Sequence, residues 1–454
     1  MGTLPANPSL EQLRKRAKER ARNEAVKLSE AQFRVAREHG FPSWPKLQAY
    51  VRRVAENGPN LQHAYHTDVG YYADRAFGLL SSAEDGTPSA RAAFERHGQD
   101  LTRDGARAVV AREHGFGSWR TLREHVAALP ENGEPFARAY RLVEARDLDG
   151  LSAVIDAFPT LVDARGTNGN DLLGMAGATG DERLTRLLLD RGADPSRANA
   201  HGWTALHQAA YSKKPQLVDM LLDAGAPLDV SARGDGGTPL IIALFWGNRV
   251  VAEKLAARER SPRNLRVAAG LGDPALLDEL IRPNGTLAPA AGGHREFYRP
   301  HSGFPFWRPT DDPAEIRDEA LSWAARNNRV DALRVLATRG TDLDADVYRG
   351  TALTWAVARG RLAAVRTLLA LGAEVNRVGT FGGPEHGMGI TALHLAAQRG
   401  DLDVITTLVE AGADLTARDG RWNSTPEGWA EACGEPEARA LLQRLTSPEH
   451  VPEP

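Results

Sequence analysis

Two stretches of this 454-residue chain hold the side chains that could do chemistry. The first, His294 to Asp312, crowds Phe297, Tyr298, Phe304, Phe306 and Trp307 beside Arg295, Arg299 and Arg308, in a chain that is only 6% aromatic. Aromatic rings and guanidinium groups dominate binding hot spots. The same stretch carries His301, Asp311 and Asp312, and the second, Phe381 to Gly389, adds Glu385 and His386 among glycines that permit close backbone approach to a ligand. Brought together, those five could exchange protons or hold a cation, and they are the catalytic candidates if the chain is an enzyme. They have no metal-ligand spacing, and no recognisable nucleophile accompanies them. No catalytic residue, metal or cofactor is therefore assigned.

The motifs GxxxxGK[ST], GxSxG and HExxH are missing, which removes the P-loop, serine-hydrolase and zincin readings. A single cysteine, Cys433, excludes an internal disulfide framework and a multi-cysteine zinc site, and it fits a reducing, cytoplasmic compartment.

The elements that must position these residues are repeats. Asp171-Leu172-Leu173, Thr204-Ala205-Leu206-His207, Thr238-Pro239-Leu240, Thr351-Ala352-Leu353, Thr391-Ala392-Leu393-His394 and Thr425-Pro426 recur, with spacings of 33, 34 and 40 between the first two, the second and third, and the fourth and fifth. A second marker follows in phase: Gly192-Ala193-Asp194, Gly225-Ala226-Pro227, Gly340-Thr341-Asp342, Gly372-Ala373-Glu374 and Gly412-Ala413-Asp414. Thr caps the free N–H groups of a first helix, Pro239 and Pro426 fall where a missing N–H costs nothing, and Gly180, Gly247, Gly360 and Gly400 end that helix in a left-handed turn. Leu184, Leu187 and Leu188, or Leu217, Met220 and Leu221, then mark a second helix.

This pattern resembles the ankyrin repeat, over roughly residues 135–445. The resemblance implies an all-α solenoid of about nine helix pairs, preceded by a small helical bundle over 8–130 and followed by a tail at 446–454. Insertions interrupt the array at about 288–313 and 381–389. The first lies between Arg263 and Glu319, which stand at equivalent places ahead of Asn264 and Ala320 but are 56 residues apart. Its aromatic segment is expected to fold back on the concave face, either as a binding loop or as a structural plug over the exposed repeat edge. In the front bundle, Ala36-Arg37-Glu38-His39-Gly40-Phe41-Pro42-Ser43-Trp44 returns as Ala111-Arg112-Glu113-His114-Gly115-Phe116-Gly117-Ser118-Trp119, a helix stop and a helix start with Phe and Trp as buried anchors. This arm is similar to one found ahead of ankyrin arrays in bacterial proteins. His39 and His114 read as C-terminal caps.

The resemblance also implies which residues face a partner. His207 and His394 belong to the hydrogen-bonding framework between repeats, and Trp323, Trp355 and Trp429 to the packing. The concave face would present His201, Trp203, Tyr211, Ser212, Phe245, Trp246, Arg326, Arg359 and Arg399, joined by Tyr298, His301, Phe306, Trp307 and Arg308 of the insertion. The expectation is a non-catalytic scaffold for a protein or peptide. The alternative is an enzyme or small-molecule binder with its pocket between the two insertions and the inner helices.

Composition narrows the partners. Residues 1–130 carry 20 Lys and Arg against 15 Asp and Glu, and the rest carries 36 against 44. The basic run Arg14 to Lys27 is diluted by Glu19 and Glu24 and reads as a solvated helix face, which with the acidic array disfavours nucleic acid. No stretch approaches the roughly 18 apolar residues a membrane span needs, and the first twenty residues lack the apolar core of a signal peptide. Arg outnumbers Lys 49 to 7, a bias associated with GC-rich bacterial genomes.

Overall fold

A computed structural model describes residues 4, 8–84, 86–129, 133–232, 236–258, 261–295, 307–379 and 388–447. The chain divides into two compact units, Met1–Gly234 and Asp235–Pro454. A division therefore falls inside the repeats, and the front arm shares a unit with the first of them.

In the first unit the arm consists of the helices Leu10–Asn23, Leu28–Glu38, Trp44–Asn57, Val69–Glu84, Pro88–Arg96, Arg103–Glu113 and Trp119–Ala127. The duplicated motif works as a helix stop and start in both copies: Gly40 and Gly115 take φ of 74° and 73°, and Ser118 closes a capping box with Thr121. The copies differ in burial. Phe41 and Trp44 are buried, whereas Phe116 and Trp119 stay half-exposed under the guanidinium groups of Arg53 and Arg107, 5.0 and 5.9 Å from their ring centroids. Three helix pairs complete this unit: Pro135–Glu144 with Leu148–Ala157, Leu172–Thr179 with Glu182–Asp190, and Ala205–Tyr211 with Pro215–Asp223.

Six pairs form the second unit: Pro239–Phe245 with Arg249–Ala256, Leu265–Leu271 with Pro274–Leu280, Pro313–Arg326 with Val330–Ala337, Ala352–Ala358 with Leu362–Ala370, Ala392–Gln398 with Leu402–Glu410, and Pro426–Ala432 with Pro436–Thr446. Small residues let the first helices approach: Ala268, Ala269, Ala324, Ala325, Ala356, Ala396 and Ala397 lie in one continuous core with Leu333, Leu368 and Leu408 of the second helices. Two starts depart from the repeat spacing. Asn264 replaces Arg263 as the cap, accepting from Val267 N at 3.0 Å. Asp312 and Pro313, a cap and a first-turn proline, begin the next first helix two turns before Ala320. Among the described residues the only strands are Gln62–His63 and Arg165–Gly166, paired in parallel within the first unit, and no helix is long and apolar enough to cross a membrane.

Candidate functional site

The base of the central insertion is closed by charge. Glu319 sits inside the helix Pro313–Arg326 at 1% exposure, and two buried arginines converge on it. Arg266 Nη1 donates to Oε1 at 3.1 Å, and Arg295 Nε donates to Oε2. Arg295 also donates to the Thr310 carbonyl and, at 2.9 Å, to Glu315, which accepts the Thr310 N–H at 2.6 Å. Both ends of the segment 296–309 are thereby held at one point. A buried carboxylate with two guanidinium partners offsets its desolvation, while either arginine alone with an uncharged neighbour would be strongly unfavourable.

Beside this neck lies an aromatic cluster. Trp307 stands 5.7 Å from Tyr348, with the Arg295 guanidinium 5.8 Å from its ring. Tyr348 is 5.9 Å from Phe245, which also meets Trp246, Trp323 and Trp355 at 5.1, 6.2 and 5.8 Å. The Arg326 guanidinium is held between rings, 3.6 Å from the centroid of Trp355 and 4.6 Å from that of Phe245, and donates to Ser322 Oγ and to the Phe245 carbonyl. Such a placement favours the cation electrostatically and removes it from water. Arg359 lies 5.9 Å from the Trp246 ring, and the buried Arg349 lies 5.5 Å from Tyr348.

The residues expected on the open face thus separate. Trp246, Trp307, Arg308, Arg359 and Arg399 are half or fully exposed. Phe245 and Arg326 are buried instead, because Trp355 and the neighbouring rings close over them. In the first unit Tyr211 is 45% exposed and packs edge-on against Trp203, whose backbone N–H is held by Asn199. Of the acid/base candidates, Asp311 and Asp312 point to solvent and Asp312 serves as a helix cap. Tyr298, His301, Phe306, Glu385 and His386 lie outside the described residues, among which there is no cluster of three His, Cys, Asp or Glu side chains able to hold a metal ion.

The framework histidines close the capping boxes of their repeats. His394 closes a capping box with Thr391, its Nδ1 accepting the Thr391 N–H, and its Nε2 donates to the Ser424 carbonyl of the next repeat at 3.1 Å. Burial pushes its pKa down. His207 makes the same box with Thr204.

The arm of the first unit occupies the turns of its repeats. His114 Nε2 lies 3.0 Å from Thr167 Oγ1, while its Nδ1 meets the Val110 carbonyl at 2.7 Å. Gln62 accepts from Asn168 N, Asn168 donates to the Arg75 carbonyl, Ser82 bonds His201 Nδ1 at 2.9 Å, and Ser89 donates to the Ala200 carbonyl. His63 stacks on Phe136, and the buried Glu134 pairs with Arg53 at 2.7 Å. Burial, reinforced by Arg53, pushes His63 down to about 3 and His125 down to about 2. Burial likewise lowers His114 to about 4.

Sequence reasoning missed the triad Arg266–Glu319–Arg295, the arm contacts and the exposed Trp422. One signal was present: aligned on the Ala-Ala pair of each first helix, Glu319 stands at the register place of Thr204 and Arg266 at that of His207. The charged pair joins two repeats, while Asn264 keeps a neutral cap on the helix that carries Arg266.

Models of ankyrin repeats match residues 172–264, 265–378 and 353–409. The chain is 35% identical over 86 residues to Protein fem-1 homolog A-like of Mus musculus, covering 19% of this chain and 13% of that protein. It is 36% identical over 89 residues to Protein PhlB of Serratia liquefaciens, covering 20% of this chain and 38% of the other, and 35% identical over 88 residues to Ankyrin repeat and SAM domain-containing protein 6 of Rattus norvegicus, covering 19% and 10%. The likeness spans well under half the length of each of these relatives.

Proposed function

The chain belongs to the ankyrin-repeat family, and from that premise we propose that it is a non-catalytic scaffold that binds a protein or peptide through the inner face of its second unit and the insertion mounted there. Repeats of this family are generally protein-interaction modules. The observation that supports the reading is the half-exposed Trp246, Trp307 and Arg359 with the exposed Arg308 beside the stapled neck of the insertion. Aromatic and guanidinium side chains on a rigid base lose little conformational freedom when a partner covers them. Arg326 and Phe245 act beneath this surface as its support. Cys433 is exposed, and the cytoplasmic setting belongs to the same reading.

The test is affinity capture from lysate of the source organism, with the wild type beside Trp307→Ala/Arg308→Ala. A protein retained by the wild type and lost from the folded variant is the expected result. Equal capture by both forms would remove the insertion from the binding surface.

A further inference from the structure

In the first unit the arm meets the repeats on a joint built around one cation. Arg53 lies among three buried imidazoles, acting on His63 and His114 and standing with its Nη1 3.4 Å from His125 Nδ1. Its Nη2 donates at 2.7 Å to the buried Glu134, which precedes the first repeat helix Pro135–Glu144 and lies 3.9 Å from His125 Nε2. His63 belongs to the short strand paired with Arg165–Gly166, so its ring, stacked on Phe136 at 5.5 Å, is part of the joint itself. Its Nδ1 is buried with no hydrogen-bond partner. His114 Nδ1 meets the Val110 carbonyl, which can only accept, so the neutral ring carries its proton there and Nε2 accepts from the Thr167 hydroxyl.

A proton added to either ring would find no open carboxylate. Beside the rings, among the described residues, stand Glu113 and Glu134, and both are engaged: Glu113 by Arg96, Gln62 and, at 3.7 Å, His97, and Glu134 by Arg53. Glu124 turns outward to Arg120. The remaining charges nearby are cations, Lys46 acting on His125 and Arg165 standing opposite Gln62 on the paired strand. Tyr50 and Tyr72, the other titratable rings in contact, are kept protonated by burial. Protonation of His63 or His114 therefore sets a second buried cation beside Arg53, whereas water accepts that charge once the joint opens. The rest of the joint parts at small cost, because Gln62 on Asn168, Asn168 on the Arg75 carbonyl, Ser82 on His201 and Ser89 on the Ala200 carbonyl are single uncharged bonds that water replaces. Each side also keeps its own packing, Val69–Glu84 on Arg103–Glu113 in the arm and Leu172–Thr179 on Ala205–Tyr211 in the repeats.

We propose that the arm is an acid-released cover on the first repeats: protonation of His63 and His114 parts it from Phe136 and from the turns at Thr167, Asn168, Ala200 and His201, and leaves those turns open. This device is separate from the insertion and its partner. Hydrogen exchange of the full chain, read by mass spectrometry at pH 7, 6 and 5 and corrected for the intrinsic pH dependence of exchange, follows the joint. An imidazole held neutral when closed and returned to the ordinary value of about 6.5 when open favours the open form about twentyfold more at pH 5 than at pH 7. With two such rings, amides of 61–64 and 165–169 are expected to exchange on the order of a hundredfold faster at pH 5, while the arm helices Val69–Glu84 and Arg103–Glu113 keep most of their protection and return to pH 7 restores the joint. His63→Phe, which keeps a ring between Tyr50 and Phe136, and His114→Gln, which keeps an acceptor toward Thr167, should each cut the acceleration about twentyfold. Unchanged protection of the joint at pH 5, equal loss throughout the arm helices, or the same acceleration in both folded variants overturns the proposal. For a variant that circular dichroism shows unfolded at pH 7, the wild-type profile decides alone: acceleration already rising between pH 7 and pH 6 supports histidine release, and none above pH 5 overturns it.

Discussion

Each unit carries an accessory segment on its repeats, and the two are attached by different chemistry. In the first, the arm is held mostly by neutral groups, His114 against Thr167, His201 against Ser82, Gln62 and Asn168, with His63 stacked on Phe136, and by one buried ion pair, Arg53 on Glu134. In the second, the insertion is anchored by guanidinium and carboxylate groups, Arg266 and Arg295 on Glu319 and Arg295 on Glu315. Neutral attachment costs less to bury but depends on histidines staying unprotonated. Ionic attachment is indifferent to pH in the ordinary range but leaves a buried charge uncompensated if one member is lost.

The largest test of this contrast is Glu319→Gln. Both arginines would keep their charge beside an amide, and the second unit is expected to lose about 3–5 kcal/mol, read by urea unfolding with hydrogen exchange to locate the loss. Comparable loss of protection in the arm would contradict the assignment of Glu319 to one unit. Acidification should do the opposite. The folded pKa values of His63, His114 and His125 lie below the unfolded value of about 6.5, so the unfolded chain takes up protons first as pH falls and the arm loses stability. The loss starts near pH 6.5, continues to about pH 4 for His114 and lower for the other two, and reaches at most about 1.4 kcal/mol per pH unit for each histidine. Thermal melts at pH 7 and pH 5 should show the first unit shifted further than the second, where the lowered His394 and the Asp318 carboxyl, pushed up to about 6 by burial, act in opposite directions.

Smaller effects sharpen the picture. Thr167→Val leaves His114 Nε2 buried without its hydroxyl neighbour and should cost the first unit about 1–2 kcal/mol in urea unfolding. Trp307→Ala removes a half-exposed ring that touches Tyr348, and its cost should be under about 1 kcal/mol, since no closed cavity is left. A loss of several kcal/mol would make Trp307 a core residue of the second unit rather than part of its surface.

Periodicity made most of the helix pairs legible, because each needs the same cap and left-handed stop: Thr204 and Thr391 with their histidines, Gly180 and Gly360 at positive φ. It failed at Pro313, where a local start signal, Asp312 followed by proline, overrode the repeat spacing. For the site, register told which side of a helix a residue takes but not how deep it lies. Arg359 and Arg326 look alike in sequence, yet Trp355 covers only Arg326 closely. The arm's contacts join residues about 50 to 120 positions apart through single hydrogen bonds, and no local pattern encodes such pairs.

The ionic neck of the insertion bears on how this protein can change over time. With Arg295 bonded to Thr310 and both tied to Glu315, the two ends of the intervening segment are already brought together, so lengthening it twofold adds only about 0.6 kcal/mol of closure entropy. Changes of length between these two posts should therefore cost the array beneath little, and related chains are expected to vary most there.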